Sequence, residues 1–324
     1  MKRSLVLVFG ALLASALTFG AANAQPYPNR LIKIIVPFAA GGPADTLARI
    51  VANRLSAGLG QSVILDNRPG AGGTIGAKAA AAAEPDGYTL LYGNTAALVI
   101  GPAVYASPGY DPAKQFTPVA LVGVTYNVMV VNNAFPANSL PEFIALAKAR
   151  PGKINFASPG YGTPPHMVGE MLKLRAGIDI VHVPYRGSAA ALTDIMAGQV
   201  ELAFENPSVT VPLVQERKLK ALGVTGETRN PQLPEVPTMI EGGVPDFVSM
   251  SFTGLMAPAG TPPEITRRLN QEVVAGLRSG EMNEMLEKLG VNARPGSPED
   301  FAAFIARETE KWTAVAKQAG IRVE

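Results

Sequence analysis

The hydrophobic residues that follow residue 30 recur with two periods, which predict strands alternating with helices. Residues 31–38 form an apolar, β-branched run typical of a buried strand in a parallel sheet. After a turn of small residues, apolar side chains recur at helical spacing from Leu47 to Leu59, and Gly60 is placed to end that helix. The same patterns predict strands over 62–66 and 88–92 and a helix over 74–83. Two such strand–helix units predict a parallel sheet with helical connections.

A second series of the same kind follows the long apolar segment 118–131, which predicts one strand. Ser139 and Glu142 have the spacing of a capping box, which predicts a helix over 139–149. The predicted elements that follow are strand 153–158, helix 165–175, strand 179–185, helix 188–197, strand 200–205, helix 207–216 and strand 219–224. This series predicts a second α/β lobe.

The end of the chain changes from alternation to helices. A strand over 253–257 is followed by helices over 262–279, 281–289 and 298–319. A region with so little sheet of its own is expected to pack on the first lobe, so the chain would cross between lobes near 120–127 and again between 225 and 257. We therefore expect residues 25–124 and 226–324 in lobe 1, and residues 125–225 in lobe 2.

The N-terminal residues have the pattern of a secretory signal peptide over 1–24. Lys2 and Arg3 precede an apolar run that closes on Ala22-Asn23-Ala24, a small-x-small cleavage site. The run is shorter than the ~20 residues that a membrane-spanning helix needs. We therefore expect export to the periplasm, and a soluble mature protein.

Cysteine content and charge exclude several classes of function. The chain has no cysteine, which excludes a lipoprotein anchor, a disulfide framework and thiolate metal sites. Of the 28 basic and 26 acidic residues, the signal peptide holds two basic ones and no acidic one, which leaves 26 of each sign. No nucleic-acid partner is expected from this balance, and no metal or cofactor site is predicted.

Ligands of open parallel sheets bind beyond the carboxyl ends of the strands, where loops lead into helices. The first such loop is VPFAAGGPAD, residues 36–45, in which Gly41 and Gly42 would let amides at the helix start face an anion. Asp45 would compete with that anion, so it is either a first-turn capping acid or an acceptor for a ligand hydroxyl, ammonium group or water. Phe38 is either a core residue or a ligand contact.

Three further loops follow predicted strands. GNTAA, residues 93–97, presents Asn94 and Thr95, which either contact a ligand or only form a turn. ASPGYGTPPH, residues 157–166, is the second-lobe counterpart of the opening turn, with Ser158 and Thr163 as hydrogen-bond donors. VPYRGSAA, residues 183–190, repeats the strand–turn–helix pattern.

Two titratable residues near these loops each have two interpretations. His166 lies in the first turn of a predicted helix, where it should be neutral, and it is either a structural hydrogen-bonding group or a ligand contact. Glu205 ends the strand VELAFE and either lines the rim of a cleft or starts the next helix.

Known catalytic and nucleotide-binding motifs are missing. DNRPGAGG, residues 66–73, fails as a nucleotide fingerprint because Ile75 stands where a glycine is needed, and no P-loop lysine follows. No G-x-S-x-G or H-E-x-x-H segment occurs. A secreted α/β hydrolase using Ser158 or Ser188 with His166 is an alternative without a supporting motif.

The ordered series of segments nevertheless resembles one family. It comprises YPNRLIKIIVPFAAGGPADTLARIVANRL, VILDNRPGAGGTIGAKAAAAAEPDGYTLLYGN, INFASPGYGTPPHMVGEML and VPYRGSAAALTDIMAGQVELAF. The series resembles the extracytoplasmic solute receptors of tripartite tricarboxylate transporters, the Bug receptors. The resemblance implies an α/β fold, the two-lobed type II clamshell of periplasmic binding proteins, with each lobe a mixed, mostly parallel sheet flanked by helices.

The resemblance also implies a function and a set of ligand contacts. It implies a monomeric receptor, not an enzyme, that captures a small carboxylate between its lobes and delivers it to membrane transporter subunits. A receptor that senses a ligand for a signalling partner is the alternative within this class. The implied contacts are Phe38, Ala39, Gly42, Asp45, Asn94, Thr95, Ala96, Ser158, Gly160, Gly162, Thr163, His166 and Glu205. Glu205 and Tyr161 depart from the aspartate and asparagine common in relatives, so the identity of the ligand is not carried over.

Overall fold

A computed structural model describes residues 27–323, so the predicted signal peptide, residues 1–24, lies outside the described residues. The first part contains β1 (Ile32–Val36), α1 (Pro43–Leu59), β2 (Val63–Asn67), a 3-10 turn (Ala71–Gly73), α2 (Thr74–Ala81), β3 (Thr89–Asn94), a π-helical turn (Ala96–Ile100), α3 (Gly101–Val104), α4 (Pro112–Gln115) and β4 (Phe116–Tyr126). The middle part contains β5 (Val128–Asn132), α5 (Leu140–Ala149), β6 (Asn155–Ser158), α6 (Pro164–Ala176), β7 (Val181–Pro184), α7 (Ser188–Met196), β8 (Leu202–Glu205), α8 (Pro207–Gln215) and β9 (Leu219–Val224). The last part contains β10 (Met250–Pro258), α9 (Pro263–Leu277), α10 (Gly280–Lys288), β11 (Asn292–Ala293) and α11 (Pro298–Gln318).

The strands form two mixed sheets flanked by helices, which confirms the predicted fold class. The first sheet has the order β11-β4-β10-β3-β1-β2, with β1 parallel to β2 and β3, and β10 antiparallel to β3 and β4. The second has the order β7-β6-β8-β5-β9, with β6 parallel to β7 and β8, and β5 antiparallel to β8 and β9. In each sheet three neighbouring strands are parallel, so their carboxyl ends meet at one edge.

The apolar stripes predicted from the sequence form the cores. Leu47, Val51 and Leu55 of α1 are buried in one cluster with Ile34 of β1, and α1 ends at Gly60, whose φ of 68° is left-handed. Such a C-terminal residue favours glycine, which has no Cβ to clash with the backbone. The C-terminal helices return to the first sheet, as predicted. Phe301 and Phe304 of α11 make edge contacts with Phe252 of β10 at centroid distances of 6.0 and 5.2 Å.

The prediction of a single strand over 118–131 is wrong. The structure has two strands there, β4 in the first sheet and β5 in the second, separated by Asn127. Val124 and Val128 are both buried, so hydrophobicity does not change where the chain leaves one sheet for the other. Within residues 27–323, no helix is long and apolar enough to span a membrane.

Thr225 fastens the place where the chain passes between the sheets. Its amide donates to the Asn127 carbonyl at 2.9 Å, and its Oγ1 accepts from the Asn127 amide at 2.9 Å. The same hydroxyl donates to the Ser249 carbonyl at 2.6 Å, and the Ser249 amide donates to the Thr225 carbonyl at 2.9 Å. One fully buried threonine therefore links three segments that join the two sheets.

Replacing Thr225 by valine should lower the free energy of unfolding by about 1–3 kcal/mol, because Thr225→Val keeps the shape but leaves a buried amide and a buried carbonyl unpaired. Urea unfolding of both proteins measures the difference. Thr309→Val is the matched control, because the Thr309 hydroxyl bonds to the Ile305 carbonyl on an exposed helix face. The control should change stability by less than about 0.5 kcal/mol. Equal losses in the two variants would contradict a linking role for Thr225.

Candidate functional site

The loops at the carboxyl ends of the parallel strands lie against one another across the two sheets. An ideal Cβ built on Gly162, in the loop after β6, would lie 3.1 Å from Val104 Cγ2 and 3.4 Å from a ring carbon of Tyr105. A Cβ built on Gly72, in the loop after β2, would lie 3.2 Å from the Tyr105 hydroxyl oxygen. The Tyr105 side chain therefore touches glycine loops from both sheets, and these loops enclose the candidate site.

The opening turn, residues 36–45, is held by Asp45. The Asp45 carboxylate is buried and accepts hydrogen bonds from the Gly41 amide at 3.0 Å, from Arg49 at 3.1 Å and from Asn67 at 3.1 Å. Asn67 also donates to the Phe38 carbonyl at 3.0 Å, so β2 is tied to the same turn. The Gly41 N–H, with the hydrogen bonds from Arg49 and Asn67, holds the pKa of Asp45 below its usual value. The Asp45 carboxylate, in the first turn of α1, therefore holds the opening turn against β2.

Exposure differs among the other residues of this turn. Ala39 is exposed, whereas Phe38 and Gly42 are half-buried. The Phe38 ring lies 3.4 Å from an ideal Cβ on Gly73, so it packs against the loop after β2. Gly42 is the N-cap of α1, and no side chain caps this helix start. Amides in the first turn of a helix have no partner within the helix.

The predicted contacts at 94–96 use their side chains within the protein. Asn94 Oδ1 accepts from the Ala97 amide at 3.0 Å, and Thr95 Oγ1 accepts from the Phe252 amide of β10 at 2.7 Å. Ala96 is buried at the start of the π-helical turn. These bonds fix the start of the helical segment and occupy the Ala97 amide.

The second-lobe glycine loop is built from residues that hydrogen-bond to one another. Gly160 has φ 134° and Gly162 has φ 69°, backbone conformations that favour glycine. Ser158 Oγ accepts from the Gly160 amide at 3.1 Å, and Thr163 Oγ1 donates to the Gly160 carbonyl at 2.7 Å. His166 Nδ1 accepts from the Gly162 amide at 3.3 Å. The structure thus brings together all five predicted residues of this loop.

A second histidine, His182, supports this loop, although the sequence indicates only that it lies in the strand predicted over 179–185. His182 of β7 pairs in register with Phe156 of β6, and its ring lies 4.0 Å from that of His166. His182 Nε2 is 2.6 Å from Ser158 Oγ. Burial lowers the pKa of His166 to about 4 and that of His182 to about 3. Both imidazoles are therefore neutral near pH 7. The cross-strand register that joins them is not encoded in any local pattern.

The hydrogen bonds do not form the serine–histidine pairs of the hydrolase alternative. His166 accepts from the Gly162 amide, and Ser188 donates to Glu205 at 2.8 Å. Ser158 Oγ lies 3.0 Å from the Gly160 carbonyl, to which it donates, so His182 Nε2–H donates to Ser158 Oγ. This tautomer leaves a lone pair at the buried, unpartnered His182 Nδ1, which costs less than an orphaned N–H. A histidine that donates to the serine is not placed to act as its base.

Glu205 ends β8 beside the glycine loop and is 2 % exposed. Its Oε2 accepts from Ser188 Oγ, whereas Oε1 is buried without a hydrogen-bond partner among the described residues. Burial raises the pKa of Glu205 to about 7, although the Ser188 hydroxyl and the neighbouring Asn206 amide act in the opposite direction. The unpartnered Oε1 is therefore suited to accept a hydrogen bond from a donor outside the protein.

The outer grooves of the molecule lie away from these loops. One of about 530 Å³ is lined by residues 230–232 and 284–292, and one of about 600 Å³ lies between α11 and the first sheet. In the described part of the chain, no group of three or more His, Asp or Glu side chains is placed to hold a metal ion. The strand-end loops remain the candidate site.

Comparison with known proteins gives one family. A model described as "Tripartite tricarboxylate transporter family receptor" matches residues 47–321. Protein BugT of Bordetella pertussis is 36% identical over 321 residues, which cover 99% of this chain and 98% of BugT.

The solved structures that match this chain include two with a bound dicarboxylate. R. palustris Rpa4515 with adipate gives a TM-score of 0.84 at 37% identity, covering 91% of this chain and 99% of that chain. MatC (Rpa3494) from Rhodopseudomonas palustris with bound malate gives a TM-score of 0.80 at 34% identity, covering 89% and 99%. The chain is therefore similar over most of its length to two proteins whose structures hold a dicarboxylate.

Replacing Asp45 by asparagine should lower the free energy of unfolding by about 1–3 kcal/mol at pH 7, because the buried carboxylate loses charge-assisted hydrogen bonds. The folded pKa of Asp45 is lowered, so this stabilisation is present above about pH 4 and is lost as pH falls through the folded pKa. Urea unfolding of wild type and Asp45→Asn from pH 7 to pH 3 should show the difference shrinking.

Asp111→Asn is the matched control for this experiment. Asp111 caps α4 near the surface, and asparagine caps a helix about as well as aspartate. Its effect should stay within about 0.5 kcal/mol at pH 7. A stability of Asp45→Asn equal to that of wild type at pH 7 would show that the carboxylate does not fasten the turn.

Proposed function

Because the chain belongs to the family of tripartite tricarboxylate transporter receptors, we propose that it is a periplasmic receptor that captures a small carboxylate between its lobes and delivers it to a membrane transporter. The ligands of its solved relatives support this class, since adipate and malate are both small dicarboxylates. Closure of the lobes on the ligand is the conformational change that such a receptor needs.

The starts of the helices at the cleft carry this proposal. The N-caps of α1, α6 and α7 are Gly42, Thr163 and Gly187, and none of them makes a side-chain capping bond. Serine side chains cap α5, α10 and α11, and the Asn206 side chain caps α8 at the end of β8. Pro43 of α1 and Pro164 and Pro165 of α6 have no N–H, so the remaining first-turn amides of α1, α6 and α7, with the positive dipole end, are the groups left for an anion.

The composition of the loops agrees with recognition by amides and hydroxyls. Segments 37–42, 94–97 and 158–163 contain no Lys or Arg. With His166 and His182 neutral, the second-lobe loop supplies no cationic side chain. A carboxylate would be held by backbone amides, hydroxyls and ordered water. We propose that its contacts are the residues expected from the sequence at positions 38, 39, 42, 45, 94–96, 158, 160, 162, 163, 166 and 205.

The proposal includes the finer assignments made from the sequence. Export would use residues 1–24 as a cleaved signal peptide. The lobes would be residues 25–124 with 226–324, and residues 125–225, in a monomer. A transport role predicts that the ligand-bound receptor retains a transporter subunit in a pull-down, whereas a sensing receptor would retain a signalling protein.

Small carboxylates should raise the melting temperature of protein freed of carried-over ligand by unfolding and refolding. A ligand at ~100 times its dissociation constant should stabilise the protein by ~2.7 kcal/mol. The panel is the aliphatic dicarboxylates from four to six carbons, including malate and adipate, with their diamides as uncharged controls. The diamides should give no shift, and failure of every carboxylate to shift the protein would contradict the proposal.

Replacing Gly162 by alanine should weaken carboxylate binding about tenfold, because its Cβ would meet Val104 and Tyr105 when the loops approach. Gly177→Ala is the matched control. Gly177 has φ 61°, close to the 69° of Gly162, but an added Cβ there meets nothing within 4 Å. Both variants should lose about 1–2 kcal/mol of stability from the left-handed backbone. Isothermal titration measures affinity, and equal affinities in the two variants would contradict closure at Gly162.

A further inference from the structure

Glu205 has an unpartnered carboxyl oxygen that the binding of an unsubstituted carboxylate does not use. Its side chain is 2 % exposed, yet Oε1 has no hydrogen-bond partner among the described residues. Buried polar groups in proteins are nearly always hydrogen-bonded, so an orphaned acceptor at a candidate site calls for a partner from outside the chain. When Glu205 is ionised, a carboxylate ligand alone would repel this group, because two like charges would meet in a buried place.

The sheet register places Glu205 next to the second-lobe glycine loop. β6 and β8 are parallel neighbours, with Phe156 paired to Leu202 and Ala157 paired to Ala203. Ser158 is the last residue of β6 and Glu205 is the last residue of β8, so both lie at the same edge of the sheet. Because side chains alternate along a strand, the Glu205 side chain lies on the face of Ala157 and Ala203, toward α7. Adjacent strands lie about 4.8 Å apart and a strand rises about 3.3 Å per residue, so the two positions fall within the length of a small ligand.

Ser188 fixes the orientation of the Glu205 carboxyl group. Its hydroxyl donates to Oε2 at 2.8 Å and occupies that oxygen, which leaves Oε1 as the acceptor. Ser188 is the first residue of α7, whose N-cap Gly187 makes no side-chain capping bond. The hydroxyl is thus directed to the neighbouring strand end instead of to its own helix.

We propose that Glu205, positioned by Ser188, is a specificity subsite that accepts a hydrogen bond from a hydroxyl or ammonium group on the ligand, so that the preferred ligands are small hydroxy- or aminocarboxylates. This inference rests on the proposed function. In it the glycine turns bind the carboxylate, while Glu205 Oε1 accepts from the substituent. An unsubstituted dicarboxylate leaves Oε1 without a partner and binds more weakly for that reason.

The test uses matched ligands that differ only at one carbon. Isothermal titration of ligand-free protein compares succinate, malate and aspartate, then the five- and six-carbon series, each unsubstituted, 2-hydroxy and 2-amino. Wild type should bind the hydroxy or amino member at least about tenfold more tightly than the unsubstituted member of the same length. Glu205→Met, which has no oxygen acceptor, should bring that ratio near one while changing the affinity for the unsubstituted acid less. The amino series should lose most, since its charge partner is removed.

Two further variants separate this effect from a loss of folding. Ser188→Ala should reduce the ratio without abolishing binding, because the carboxyl group stays but loses its orientation. Glu308→Gln is the control, since Glu308 is a buried carboxylate bonded to Trp312 and Lys311 on α11, away from the strand ends. It should keep the wild-type ratio.

The outcomes distinguish this inference from the function on which it rests. If wild type binds unsubstituted acids as tightly as substituted ones at every length, or if Glu205→Met keeps the wild-type ratio, the subsite is refuted while the receptor function stands. If no carboxylate of the series binds wild type, the proposed function itself fails.

Discussion

The amides at the start of a helix need an acceptor, and the structure of this cleft depends on how that need is met. Elsewhere in the chain, serine side chains at 139, 279 and 297 provide the acceptor. At the cleft, Gly42 and Gly187 stand in the same place, as does Thr163, whose hydroxyl bonds to the Gly160 carbonyl, whereas Asn206 caps α8. The acceptor is then free to be a ligand, and a carboxylate satisfies two amides at once.

The polar side chains around these helix starts serve mainly to hold the turns in place. Asp45 fixes the first turn through the Gly41 amide and Asn67, and Ser158 with Thr163 fixes the second through the Gly160 backbone. Such bonds fix the amides before a ligand arrives, which lowers the entropy cost of binding. Two residues connect the sheets themselves. Thr225 forms hydrogen bonds where the chain crosses from one sheet to the other, and the Tyr105 side chain lies between the facing loops.

The sequence predicts those features that depend on neighbours along the chain. The stripe from Leu47 to Leu55 and the left-handed Gly60 follow from local periodicity, and so does the fold class built from repeated strand–helix units. The change of sheet at Asn127 does not follow, because the residues on both sides are equally buried. The contact of His182 with Ser158 depends on the pairing of β6 with β7, which no local pattern contains. For Asp45, the hydrogen bond from the Gly41 amide shows that the carboxylate holds the turn, which the residue pattern alone does not reveal.

The two lobes differ in the charge state of their buried titratable side chains, and this difference limits which ligands the cleft can recognise. In the first lobe Asp45 stays ionised because the Gly41 amide, Arg49 and Asn67 all donate to it. In the second, the paired histidines are neutral and Glu205 is destabilised as an anion by burial. The turns 36–45 and 157–166 contain no Lys or Arg, so net charge alone gives these two turns little discrimination among anions. Selectivity must then come from geometry, from how many donors a ligand satisfies and which acceptors it leaves unpaired.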